Sequence, residues 1–125
     1  MAEADPEPIK AAGVLVIAPG GEVLFLRNKQ RGTWEFPGGG VENSETTENA
    51  AAREFLEETG FRLGSVGSEF MRRIRDGVDY TTFARRVEGI FVPKLSLEHD
   101  AFMWIKPGDA LGEIASAAPM PATAA

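Results

Sequence analysis

Apolar residues fall in short β-branched or aromatic runs along most of the chain, and one stretch carries helical spacing instead. Residues 11–19, AAGVLVIAP, and 22–28, EVLFLRN, flank a PGG turn and predict a β-hairpin. In 29–40, KQRGTWEFPGGG, Gly32, Pro37 and three successive glycines predict a loop anchored by Trp34 and Phe36, which alternate as in a short strand. A helix is predicted from Glu45 to Thr59. Ser44 is its N-cap, Glu45 and Glu48 stand where the helix dipole favours anions, Ala50 to Ala52 propagate it, and Gly60 ends it. Phe61 is placed to fold back on Leu56. Residues 61–92 predict two long strands around a turn at DGVD, and AFMWI (101–105) a short last strand. PGDALGEIASAA then predicts a short helix opened by Asp109. Strands, one central helix, strands and a terminal helix make an α+β fold with a mixed β-sheet, without the alternation of a doubly wound sheet. The expected organisation is an acidic flexible arm over 1–8, a single domain over 9–118 and a flexible tail over 119–125.

Composition narrows the function. The 125 residues suit one domain, and 43% hydrophobic with 26% charged residues is a globular balance. No apolar run approaches the ~20 residues of a membrane helix. The start, MAEADPEPIK, lacks the features of a secretory signal, and the chain has no cysteine, so a reducing, cytoplasmic setting is expected. Disulfides and zinc-thiolate sites are excluded. A formal net charge of -6 argues against broad binding to nucleic-acid backbones. A small anionic substrate requires local cations or a bound metal to invert the field.

The helix carries the chemistry. On a wheel of about 100° per residue, Ala52, Phe55, Leu56 and Thr59 share the side assigned to the sheet. Glu54, Glu57 and Glu58 gather on the other. Carboxylates three and four apart repel, at a few tenths of a kcal/mol per pair. Two readings answer that repulsion: a solvated acidic face with Arg53 pairing Glu57, or a divalent cation held by three carboxylates, for which magnesium or manganese is suited. The glycines of 38–40 favour the second, because backbone without side chains can approach phosphate and lend a carbonyl to a metal.

The register Gly39, five residues, Glu45, seven residues, then REFLEETGF (53–61) resembles the signature of the Nudix hydrolases, G-x5-E-x7-R-E-U-x-E-E-x-G-U, at every fixed position. Phenylalanine at both apolar positions is the one mild departure from the usual aliphatics. The resemblance implies an α/β/α sandwich and metal-dependent cleavage of a diphosphate linked to another moiety, usually a nucleoside. It implies Glu54, Glu57, Glu58 and the Gly38 carbonyl as ligands to Mg2+ or Mn2+, with Arg53 and Glu45 positioning Glu54. Glu54 or a loop residue accepts the proton, and Glu98 is the candidate for an additional acid at the metal. Arg27 corresponds to a phosphate-binding arginine, Gly39 to the close approach of phosphate, and Trp34 to a core anchor or the edge of the pocket. His99 could be a base or ligand because it titrates near neutrality, yet a lone loop histidine is more often incidental, and Arg72, Arg73, Arg75, Arg85 and Arg86 read mostly as solvated. Small size and WEFPGGG look MutT-like, so a nucleoside triphosphate cleaved to monophosphate and pyrophosphate is the first expectation. A dinucleoside polyphosphate, an RNA 5′ end and a non-catalytic nucleotide-binding module stay open, and family members are often homodimers.

Overall fold

The computed structural model describes residues 7–108 and 120–121. The hairpin forms as its sequence directs, with β1 (Ile9–Ile17) and β2 (Val23–Asn28) meeting at Ile17 and Val23. Beyond that pair the two strands part. On its far side β1 lies parallel to β6 (Val78–Arg86) over its whole length, and β2 lies antiparallel to β7 (His99–Ile105). Between them the chain wedges β3 (Trp34–Glu35) onto β2 and β4 (Gly38–Gly40) onto β1. The glycines expected in a loop are therefore a strand, and Gly38 must lie close to other backbone. A Cβ on Gly38 would stand 2.7 Å from the Ala12 carbonyl oxygen and from Gly13 Cα.

The sheet is completed by β5 (Ser68–Arg75) outside β6 and β8 (Met120–Pro121) outside β7, in the order β5-β6-β1-β2-β7-β8. Asp76 and Gly77, at φ 52° and 78°, make the two-residue turn between β5 and β6, the left-handed pair that such hairpins favour. The long strand expected from 61 begins only at Ser68, and its partner ends at Arg86, leaving 61–67 and 87–98 irregular. Met120 and Pro121 pair with β7 where a frayed tail was expected; the outer edge of β7 offers unpaired backbone groups to satisfy. The predicted terminal helix with its Asp109 cap, and the arm, lie outside the described residues except at 107–108 and 7–8.

Helix α1 (Thr47–Thr59) starts two residues later than expected. Thr46 is the N-cap and accepts from the Asn49 N–H at 3.1 Å. Ser44 cannot serve because it sits at φ 67°, in a turn where Glu45 takes the Glu42 N–H at 3.0 Å. Gly60 closes the helix in the left-handed region, and its N–H donates to the Leu56 carbonyl at 2.8 Å. Phe61 stacks on Phe91 at 4.4 Å rather than on Leu56, since the loop after β6 is tied to the helix end by the Lys94 N–H on the Thr59 carbonyl.

The buried face of α1 is also rotated from the one hydropathy suggests. Ala50, Ala51, Phe55, Glu58 and Thr59 are inside, whereas Ala52 and Leu56 are only partly covered. Ala50, Ala51 and Phe55 meet Ala12, Val14, Val16, Leu24, Leu26, Phe83 and Phe102 of the sheet. Burying Phe55 alone contributes roughly 2–3 kcal/mol. On the other face Val23, Phe25 and Met103 collect Trp34 and Phe36, with the Phe25 and Phe36 rings 5.0 Å apart. Among the described residues no helix is long and apolar enough to cross a membrane.

Candidate active site

Helix α1 places its acids in two environments. Arg53 is the centre of the first. Its Nε and Nη2 grip Glu45 at 2.9 and 3.0 Å, Nη1 reaches Glu54 Oε1 at 2.9 Å and Glu57 Oε1 at 3.2 Å, and Nη2 also donates to the Gly40 carbonyl at 2.9 Å. One planar fork thus offsets the repulsion among three carboxylates and ties the helix to β4. The guanidinium holds Glu45 below the usual carboxylate range. Burial pushes Glu54 up, against the pull of Arg53. Glu57 is 54% exposed at its side chain and pairs with Arg53.

Glu58 has no such partner. It is 2% exposed, at the centre of the buried face, and the Gly38 N–H donates to its Oε1 at 2.8 Å. Burial, followed by the neighbouring Glu98 carboxyl, pushes Glu58 up to about 9, so the metal-free protein keeps a proton there. Glu98 and His99 complete the group: one ligand atom from each of Glu58, Glu98 and His99 lies within 4.8 Å of the others. A β-bulge at the start of β7 brings this about. Asn28 pairs with His99 and Arg27 with Ala101, leaving Asp100 as the extra residue and turning His99 inward. Burial lowers the His99 pKa, against the carboxylates of Glu35, Glu98 and Asp100.

The glycines set the spacing. A Cβ on Gly39 would stand 2.5 Å from the Glu54 carboxyl, so only glycine lets that side chain lie against β4. Gly38 and Gly39, with Glu98, also line an open cavity of about 930 Å³, whose walls include Asn28, Lys29, Arg31, Glu35 and Tyr80. Lys29 and Arg31 are its cations, and the Lys29 N–H donates to the Glu98 carbonyl at 2.8 Å. Tyr80 stands against Gly13 and Gly38, its hydroxyl pushed up to about 12 by burial and by Glu58, Glu35 and Glu54.

Of the candidates from sequence, Glu54, Glu58, Glu98, Gly38 and Gly39 converge, and Arg53 with Glu45 braces them. Glu57 stays on the rim. Arg27 instead pairs with Asp100 at 3.1 Å, and Trp34 packs with the second core cluster; neither lines the cavity. Arg72 is not free in solvent but forks onto Asp79 at 2.9 and 2.6 Å, and Arg85 donates to the Leu63 carbonyl at 3.2 Å. Lys29, Arg31 and Tyr80 were not assigned to the site from sequence, and His99 was weighed as a base or ligand and set aside. The only hint of the first two was a pair of cations in the turn directly after a strand.

A family model described as NUDIX domain matches residues 7–123. A MutT-like protein of Streptomyces ambofaciens is 33% identical over 111 residues, covering 86% of this chain and 71% of that protein. A putative 8-oxo-dGTP diphosphatase of Bacillus subtilis is 40% identical over 102 residues, 79% of this chain and 67% of that protein. The crystal structure of a MutT protein from Methanosarcina mazei Go1 aligns at a TM-score of 0.68 and 26% identity, over 95% of this chain and 89% of that one. Some other relatives match over only about a third of their own length.

Proposed function

Because the chain belongs to the Nudix hydrolase family, and so to the pyrophosphohydrolases that act on acid anhydrides, we propose that it cleaves a nucleoside triphosphate, or its deoxy form, to the monophosphate and pyrophosphate. The observation that carries this reading is one cavity in which Lys29 and Arg31 face the same space as Gly38, Gly39 and Glu98. Cations on one wall suit a polyphosphate, and acids on the other suit a metal. The likeness to a putative 8-oxo-dGTP diphosphatase supports the substrate class.

The donors fit a divalent ion. Glu58 keeps a proton that only burial and a second carboxyl explain, and a cation there would displace it. Glu54, Glu57, Glu58, Glu98 and the Gly38 backbone are the residues that would hold magnesium or manganese. When bound, such an ion neutralises phosphate oxygens and lowers the pKa of water. The chain's own residues do the rest. Arg53 fixes Glu54 through Oε1, and burial makes that carboxylate a stronger base than a free one, suited to accept the proton of the attacking water. The water oxygen bonds to phosphorus, the anhydride P–O bond between the α and β phosphates breaks, and the leaving group, pyrophosphate or the nucleoside monophosphate according to which phosphorus is attacked, departs in line, its charge met by Lys29 and Arg31.

Incubation of the purified chain with nucleoside triphosphates, dinucleoside polyphosphates, nucleotide sugars and triphosphate-ended RNA, with magnesium or manganese, tests the substrate. Release of pyrophosphate from the triphosphates is expected. Tightest turnover of the dinucleoside or RNA arm would replace the substrate class, and hydrolysis of none by folded protein would make this a binding module.

A further inference from the structure

His99 is the sole histidine of the chain, 4% exposed, and among the described residues neither ring nitrogen has a hydrogen-bond partner. A buried imidazole left unpaired loses the bonds it made to water. Its nearest ion-pair contact, Glu35 Oε2, stands 3.9 Å from Nε2, beyond hydrogen bonding. The bulge at Asp100 nevertheless turns the ring inward, to where a nitrogen lies within 4.8 Å of carboxylate oxygens from Glu58 and Glu98. Glu58 is itself buried and, among the described residues, forms no salt bridge. Two carboxyl groups and an unclaimed nitrogen around one point lack the counter-charge that would let both carboxyls ionise and an acceptor for the nitrogen lone pair. A transition-metal ion supplies both.

We propose that Glu58, Glu98 and one ring nitrogen of His99 form a mixed oxygen and nitrogen site for a divalent transition metal, so that this chain prefers manganese, cobalt or zinc to magnesium. The assignment rests on the metal-dependent reading above and adds to it the ligand and the choice of ion. Imidazole suits the borderline ions, whereas magnesium binds oxygen and retains its waters. Small shifts of the side chains bring the three donors from their mutual spacing of up to 4.8 Å to ordinary coordination distances of about 2.0–2.2 Å from a central ion.

The test uses the untagged full chain, since an added histidine tag would mask the signal. Bound Mn2+ is examined by electron spin echo envelope modulation, in protein of natural isotopes and in protein carrying 15N-histidine only. Expected is a directly coordinated 14N signal that gives way to 15N on labelling; with one histidine present, that result assigns His99 without any substitution. A second measurement compares dissociation constants for Zn2+ and Mg2+ in the native chain and His99→Gln. Zinc affinity should fall by ~100-fold or more, beyond the 10–100-fold typical of outer-shell partners, and magnesium affinity by far less. Mn2+ bound without nitrogen coupling would overturn the His99 assignment while the carboxylate site stands. A free aqueous Mn2+ spectrum at all concentrations would overturn both.

Discussion

Around Arg53, the carboxylates of Glu45, Glu54 and Glu57 share one guanidinium at 2.9 to 3.2 Å. Around Glu58, one turn along the same helix, Glu98 and His99 converge and no arginine or lysine forms a salt bridge with them among the described residues. Both groups are acidic, yet only the first is electrostatically complete. The first is a brace, holding α1 to β4 and Glu54 to its place. The second lacks the counter-charge that would let both carboxyl groups ionise, so Glu58 keeps a proton, and there a cation stabilises the molecule most.

The sharpest way to break the comparison is Glu58→Gln. Neutral and of equal size, it imitates the protonated side chain but cannot give up a proton to a cation, and kcat/KM should fall ~100-fold or more, as loss of a metal ligand exceeds the 10–100-fold typical of outer-shell partners. Retained turnover would remove Glu58 from the site. The same residue sets a pH signature. Glu58 keeps its proton in the fold up to about 9, against 4.5 when free, so across that window the native state binds more protons than the unfolded chain. Its contribution to stability is full below 4.5 and is lost as the pH rises toward 9. His99 acts oppositely, its lowered value favouring the fold as the pH rises to 6.5. Between 6.5 and about 9 the melting temperature of the metal-free protein should therefore drop, and Glu58→Gln should flatten that slope. Saturating manganese should reverse it, since binding requires the proton to leave.

Arg53→Ala attacks the brace. It leaves three carboxylates unshared and frees the Gly40 carbonyl, so chemical denaturation should report a loss of about 2 kcal/mol. Arg53→Lys should recover little of it, because an ammonium cannot fork onto Glu45 while reaching Glu54. Full recovery by lysine would mean that charge alone matters there. The mildest change is Thr46→Ala, which removes the N-cap: about 1 kcal/mol less stable, with turnover and metal affinity unchanged. A fall in metal affinity would show that the helix start and the Glu58 group are coupled.

Much of this was legible in the order of residues. Glycine at 60, the turn residues at 76 and 77, and the apolar runs of β1 and β2 act through their own backbone preferences, so local chemistry was enough to place them. The register of Arg53, Glu54, Glu57 and Glu58 likewise fixed the family and the acid-rich helix. Ser44 failed as a cap because its φ is set by the preceding turn, which hydropathy and propensity do not describe.

What only the tertiary structure decided is which of those acids is buried and what meets it. A helical wheel assigns the inner face by apolar residues, so it put Glu58 outside; the sheet packs on Ala51 and Phe55, and Glu58, two turns on from Ala51, points within about 20° of the Ala51 direction. His99 was set aside because a one-residue bulge reverses which side of a strand faces in, and no local pattern announces it. Lys29 and Arg31 needed the splayed hairpin to open a cavity beside them. The sequence determined which groups α1 carries and in what rotation relative to one another. Long-range pairing alone sets which of them lose water, and desolvation is what turns a carboxylate into a metal ligand in waiting.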